Sequence, residues 1–153
     1  MGERAGLAAG APVPAVGRVL GVGVDMVTIS ELERYVPAGA GGGVAPGEDE
    51  LDAFVRRAFT PAERAQAWGR ARPTEFLAGR FAVKEAVFKA VAPLTRDGFD
   101  LRKVESLDGS DGAPRVTLAG PLALVFAEAG VRDVLVSVSN EGDLAVAFAV
   151  AQG

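Results

Sequence analysis

From Thr74 to Val91 the chain is rich in alanine, carries no proline and has Gly79 as its one glycine. That length and composition favour a helix over a strand. Apolar residues recur at Phe76, Val83, Val87 and Val91, and a second row runs through Leu77, Phe81 and Phe88. Two apolar rows predict a helix covered on more than one side, so the other elements must pack around it. The same stretch carries Arg80, Lys84, Glu85 and Lys89. Arg80 and Lys84 share one face, as do Glu85 and Lys89. Read alone, these charges describe a solvated edge laced by a weak Glu85 to Lys89 pair.

The rest of the chain predicts an α+β plan, an antiparallel sheet packed on a long central helix. Met1–Gly17 is mostly Ala, Gly and Pro and is expected to be a tail, leaving 18–153 as one domain. Arg18–Val27 alternates as a strand, with Leu20, Val22, Val24 and Met26 on one face and Gly21, Gly23, Asp25 and Val27 on the other. Two glycines ahead of Asp25 imply close approach by a ligand or another backbone. Ser30 with Glu33 has the form of a capping box, and Thr60-Pro61-Ala62-Glu63 a stronger one with proline at the first helical position. Pro37–Gly47 reads as a flexible glycine-rich insertion. Arg56, Arg57, Arg64, Arg70 and Arg72 suggest a local basic face. Asp100–Leu107 and Arg115–Leu118 read as strands. A helix after Gly120-Pro121 and a hairpin of Val134–Ser139 with Leu144–Ala151 complete the plan. Ser137 and Ser139 share a face with Leu135.

Composition narrows the chemistry. Among 153 residues there is no histidine and no cysteine, which removes imidazole and thiolate from catalysis and from metal binding. Carboxylates, lysine, hydroxyls or a hard cation must do any work. A net charge of −4 argues against general nucleic-acid binding. No apolar run approaches a membrane span and no basic-then-apolar leader is present, so a cytoplasmic protein is expected. Asp25 on a bare strand face and Glu85 on a half-buried helix are the best pair for a shared site. Two carboxylates brought together stay ionised cheaply only around a cation. With oxygen ligands alone that cation would be Mg²⁺, held with water and substrate phosphates.

Four stretches carry a resemblance. They are Gly21-Val22-Gly23-Val24-Asp25-Met26-Val27, Phe59-Thr60-Pro61-Ala62-Glu63, Phe76 through Ala86 with Lys89-Ala90, and Gly112-Ala113-Pro114-Arg115-Val116. In their order and spacing, and with the Val136–Ser139 hairpin, the chain resembles the holo-acyl-carrier-protein synthases, the small type of 4′-phosphopantetheinyl transferase. The resemblance implies transfer of the phosphopantetheine arm of coenzyme A to a serine of an acyl carrier protein, with release of 3′,5′-ADP. It implies Mg²⁺ on Asp25 and Glu85, with Glu85 and Lys84 as catalytic groups. Lys84, Lys89, Arg80, Ser137 and Ser139 are the implied coenzyme contacts. A homotrimer with coenzyme in the clefts between subunits is the implied assembly. The chain departs from the family pattern at Glu31, where many relatives carry a basic residue, at Val91–Thr95, where they usually carry a glycine-rich loop, and at Asn140, where they often carry histidine. A repurposed member that binds a carrier protein or acyl-coenzyme without turnover is the alternative reading.

Overall fold

The computed structural model describes residues 17–153, so the expected tail, apart from Gly17, lies outside the described residues. The predicted central helix is α4, Pro73–Val91, one residue longer at its start than Thr74. It lies across a three-stranded antiparallel sheet built from β1 (Val19–Thr28), β4 (Asp133–Glu141) and β5 (Leu144–Gln152), in the order β1-β5-β4. The α+β plan and the closing hairpin are as expected.

Small residues set how closely helix and sheet meet. Ala145, Ala147, Ala149 and Ala151 of β5 are all fully buried beneath α4. A Cβ at Gly23 would stand 1.9 Å from the Ala86 carbonyl oxygen, and one at Gly21 would stand 2.1 Å from that of Ala90. The close approach foreseen at these glycines is therefore made by the backbone of α4 and not by a ligand. Leu77, Val83, Val87 and Val91 are fully buried on the helix, which confirms that it is covered on several sides.

Short helices surround this pair: α1 (Ile29–Glu33), α2 (Ala53–Ala58), α3 (Pro61–Trp68) and α5 (Ala123–Glu128). The box at Thr60 forms as predicted. The Thr60 hydroxyl accepts the Glu63 N–H at 3.2 Å, and the Glu63 carboxylate accepts the Thr60 N–H at 2.9 Å. The box at Ser30 does not form. Ser30 lies inside α1, and its N–H donates to the Asp143 carboxylate at 2.9 Å, so a residue distant in sequence outcompetes the local cap.

Three further expectations change. Pro37–Gly47 is tied down: Gly42 N–H donates to the Arg70 carbonyl at 2.6 Å and Gly43 N–H to that of Trp68 at 2.8 Å. Asp100–Leu107 is mostly not strand. It opens with a single 3-10 turn, Leu101–Lys103, because the Asp100 carboxylate accepts the Arg102 N–H at 3.0 Å. Only β2 (Ser106–Asp108) pairs with β3 (Pro114–Val116). The basic face also dissolves. Arg64 is buried against the Phe59 carbonyl, Arg70 pairs with Asp108 and Arg72 with Glu75, leaving Arg56 and Arg57 as the two without an acidic partner among the described residues.

Candidate active site

Asp25 lies on the face of β1 that meets α4, one alternation beyond Gly23, where the edge strand and the helix leave a seam. Glu85 and Lys89, one turn apart on α4, open onto the same seam. Lys89 Nζ donates to Asp25 Oδ1 at 2.8 Å and to the Val24 carbonyl at 3.0 Å. The hydrogen bond to Asp25 holds the ammonium pKa above its ordinary value. Partial burial, and then the charge of Asp25, raise the Glu85 carboxyl above its ordinary value of 4.5. The two carboxylates predicted from sequence are thus brought together with one cation beside them.

Such a pair suits a hard divalent ion. Among the described residues no group of three or more His, Cys, Asp or Glu side chains converges as a metal cage. Mg²⁺ needs none, since it binds through one or two carboxylates and completes its shell with water and phosphate oxygens. The Asp25 charge, which after burial helps to raise the Glu85 carboxyl, is what an added cation would offset.

Beside Glu85 lies an apolar pocket of about 380 Å³. Phe54, Phe81, Phe88, Phe99 and Leu101 supply most of its walls, and Asp100 and Arg102 stand at its rim. Phe81, Glu85 and Phe88 form a helical stripe, so this pocket had a signal in the sequence, although Phe54 and Phe99 come from elsewhere.

Four other predicted residues stay apart from this cluster. Lys84 is fully buried, and its ammonium meets Glu63 Oε2 at 2.9 Å, with the carbonyls of Val104 and Arg102 as further acceptors. This corrects the expectation that Lys84 reaches a phosphate: one residue along an α-helix turns the side chain by about 100°, which sends Lys84 inward as Glu85 faces out. Arg80 is also buried, donating to the Ser106 hydroxyl at 2.9 Å and to the Asp108 carboxylate at 2.7 Å. Its guanidinium serves the interior and not the seam. Ser137 and Ser139 are exposed, but strand register puts them opposite Phe148 and Val146, on the sheet face away from α4. Within one chain they cannot share a ligand with Asp25.

Sequence reasoning missed Glu63 as more than a cap. Burial raises its carboxyl pKa and lowers that of Lys84, while their mutual attraction and the Ser106 and Thr60 N–H donors pull Glu63 back down. It missed Asp108 as well, which holds Arg70 and Arg80 together.

The comparisons with known proteins agree with one another. A family model described as the 4′-phosphopantetheinyl transferase superfamily matches residues 21–149. The chain is 42% identical over 135 residues to a holo-acyl-carrier-protein synthase of Desulforudis audaxviator, covering 88% of this chain and 94% of that one. It is 33% identical over 132 residues to one from Geotalea daltonii, covering 86% and 97%. Among solved structures, the holo-acyl-carrier-protein synthase of Neisseria meningitidis superposes with a TM-score of 0.69 at 29% identity, covering 89% of this chain and 100% of that one. A synthase from Chronobacterium ammoniagenes in complex with coenzyme A superposes with a TM-score of 0.64 at 29% identity, covering 86% and 96%.

Proposed function

Because the chain belongs to the holo-acyl-carrier-protein synthases of the 4′-phosphopantetheinyl transferase superfamily, we propose that it moves the phosphopantetheine arm of coenzyme A onto a carrier-protein serine, with Mg²⁺ as cofactor and 3′,5′-ADP as the second product. The observation that carries this reading is the convergence of Asp25, Glu85 and Lys89 at the seam of β1 and α4.

In this proposal Asp25 and Glu85 hold the metal ion, and Lys89 meets phosphate oxygens as a point charge. The ion, when bound, supplies neutralisation of charge on the phosphoryl oxygens and on the leaving phosphate. The serine oxygen forms a bond to the phosphorus that bears the pantetheine. The bond from that phosphorus to the bridging oxygen breaks, and the electron pair leaves with 3′,5′-ADP. No imidazole exists to take the serine proton. A carboxylate of the site, Glu85 or another, is the group left to take it. The neighbouring apolar pocket excludes water and offers a surface to the acceptor protein.

The proposal includes assembly as a homotrimer. The sheet face away from α4 exposes Val22, Val24, Met26, Leu135 and Phe148, with Met26 at 64% and Phe148 at 47% of full exposure. An apolar face of that extent on a single copy calls for burial against further copies. Ser137 and Ser139 lie on that face, so any contact with coenzyme would be made across an interface. Among the described residues no helix is long and apolar enough to cross a membrane.

The test is direct. Purified protein is incubated with coenzyme A, Mg²⁺ and a panel of apo acyl carrier proteins, and each carrier is weighed by mass spectrometry. Gain of the phosphopantetheine mass, abolished by chelator, is expected. No gain on any carrier would defeat the reading.

A further inference from the structure

Lys84 spends more of its ammonium on backbone than its carboxylate partner requires. Of its three donors, one meets Glu63 Oε2 at 2.9 Å, and the others have the carbonyls of Val104 and of Arg102, the latter at 3.4 Å. Those carbonyls belong to and follow the single 3-10 turn Leu101–Lys103. The turn itself is short. Asp100 caps it through the Arg102 N–H, and it closes with Val104 N–H donating to the Leu101 carbonyl at 3.0 Å. A lone 3-10 turn has poor hydrogen-bond geometry and needs outside support to keep one position. Lys84 supplies that support from the core.

The position of the turn matters because it is a wall common to two depressions. On one side Phe99, Asp100, Leu101 and Arg102 face Glu85 across the phenylalanine-lined pocket. Phe99 is edge-on to Phe88 of α4, with ring centroids 5.2 Å apart. On the other side Arg102 and Lys103 join Arg56 and Arg57 in lining a groove of about 510 Å³, in which Glu105 is the sole acid. The apolar pocket does not suit the diphosphate that the seam would take, and the cationic groove lies across the turn from that seam. An apolar pocket beside a cationic groove suits a protein that offers an apolar side chain next to acidic ones.

We propose that Lys84 is a positioning residue for the acceptor side of the reaction: it holds the 101–104 segment, and through it the wall opposite Glu85, where the acceptor protein docks. This rests on the transferase reading, and it gives Lys84 a role that needs no contact with phosphate.

Two variants separate positioning from bulk stabilisation, because both break the buried ion pair but only one unties the turn. Lys84→Met removes the donor to Val104 and Arg102, while Glu63→Gln leaves that donor in place. In steady-state transfer assays, Lys84→Met is expected to raise the KM for the apo carrier protein about tenfold, with the KM for coenzyme A held within about twofold. Glu63→Gln, whatever its melting temperature, is expected to leave the carrier KM within about threefold of wild type. Amide exchange at Val104 should quicken in Lys84→Met alone. Should Lys84→Met fail to fold, Asp100→Ala loosens the same turn from its cap and should raise the carrier KM in the same selective way. Carrier KM unchanged in the folded variant, or both KM values moving together, would overturn the inference. A wild-type protein inactive on every carrier would instead defeat the transferase reading itself.

Discussion

Helix α4 carries charges on two faces, and they live under opposite conditions. On the inward face Lys84 is fully buried against an equally buried Glu63, and Arg80 is locked to Ser106 and Asp108. On the outward face Glu85 is half-buried, and Lys89 leaves 51% of its side chain in solvent as it pairs with Asp25. Desolvation makes the inward pair costly to form and costlier to break, since removing one partner strands a charge in the core. The outward pair costs little and is worth little, so its groups are free to exchange partners with a ligand. Adjacent residues, 84 and 85, thus divide architecture from chemistry.

The largest effect should come from the outward face and touch activity alone. Asp25→Ala or Glu85→Ala is expected to lower transfer by roughly 10³-fold or more, with the urea midpoint unchanged, since several kcal/mol of phosphoryl charge stabilisation is lost. Retained turnover in either variant would remove that residue from the proposed metal site. If instead the midpoint fell sharply, the division between the two faces would be wrong.

The inward face should answer in stability. Glu63→Ala leaves the Lys84 ammonium buried without its carboxylate, and also frees the N–H groups of Thr60 and Ser106. A loss of about 3–5 kcal/mol is expected from equilibrium unfolding, a large share of the roughly 5–15 kcal/mol that holds a typical domain. A loss below about 1 kcal/mol would mean that the pair is effectively solvated.

The contrast between these faces was only half legible in the chain. Local patterns were readable: the alternation of β1, the extent of α4 and the box at Thr60 each depend on neighbours a few residues away. Composition singled out Asp25 and Glu85, as hard carboxylates in a chain without histidine or cysteine, but nothing local joined them, and it was the resemblance of their two motifs to the family that made them a pair. What escaped depended on partners that arrive from a distance. Spacing put Arg80 with Lys84 and Glu85 with Lys89, but it could not say which face turns inward. That is decided by Glu63 and Ser106, which reach α4 from separate elements. The same applies to Ser30, whose expected capping role is taken over by Asp143. It applies to the 101–104 segment, whose strand-like sequence yields to the Asp100 cap and the Lys84 tether.

The seam on which both faces depend can be opened without touching a charge. A methyl at Gly23 would meet backbone on every near side, with the Ala86 carbonyl carbon at 2.9 Å and the Ala90 nitrogen at 3.0 Å in addition to the Ala86 oxygen. Backbone cannot rotate aside as a side chain can, so Gly23→Ala must push α4 off β1. A destabilisation of about 1–3 kcal/mol is expected, with transfer reduced even at temperatures where the variant is folded, because Asp25 and Glu85 separate. A folded Gly23→Ala with full activity would show that the site tolerates a wider seam than its Lys89 to Asp25 contact implies.

The smallest effect is expected at Asn140, where the chain departs from the pattern of its relatives. Its amide donates to Glu75 Oε1 at 3.0 Å, and the other oxygen of that carboxylate accepts from Arg72 at 3.1 Å. Glu75 lies in the first turn of α4, ten residues before Glu85, which at the helical rise is about 15 Å along the axis. Within one chain Asn140 therefore pins the hairpin to the start of the helix and stands well away from the seam. An exposed hydrogen bond of this kind contributes about 0.5–1 kcal/mol, so Asn140→Ala should cost no more than that and leave transfer within about twofold. Loss of transfer by roughly 10²-fold at unchanged stability would carry the opposite meaning. It would put Asn140 against the coenzyme of a neighbouring copy and would make the intersubunit cleft part of the active site.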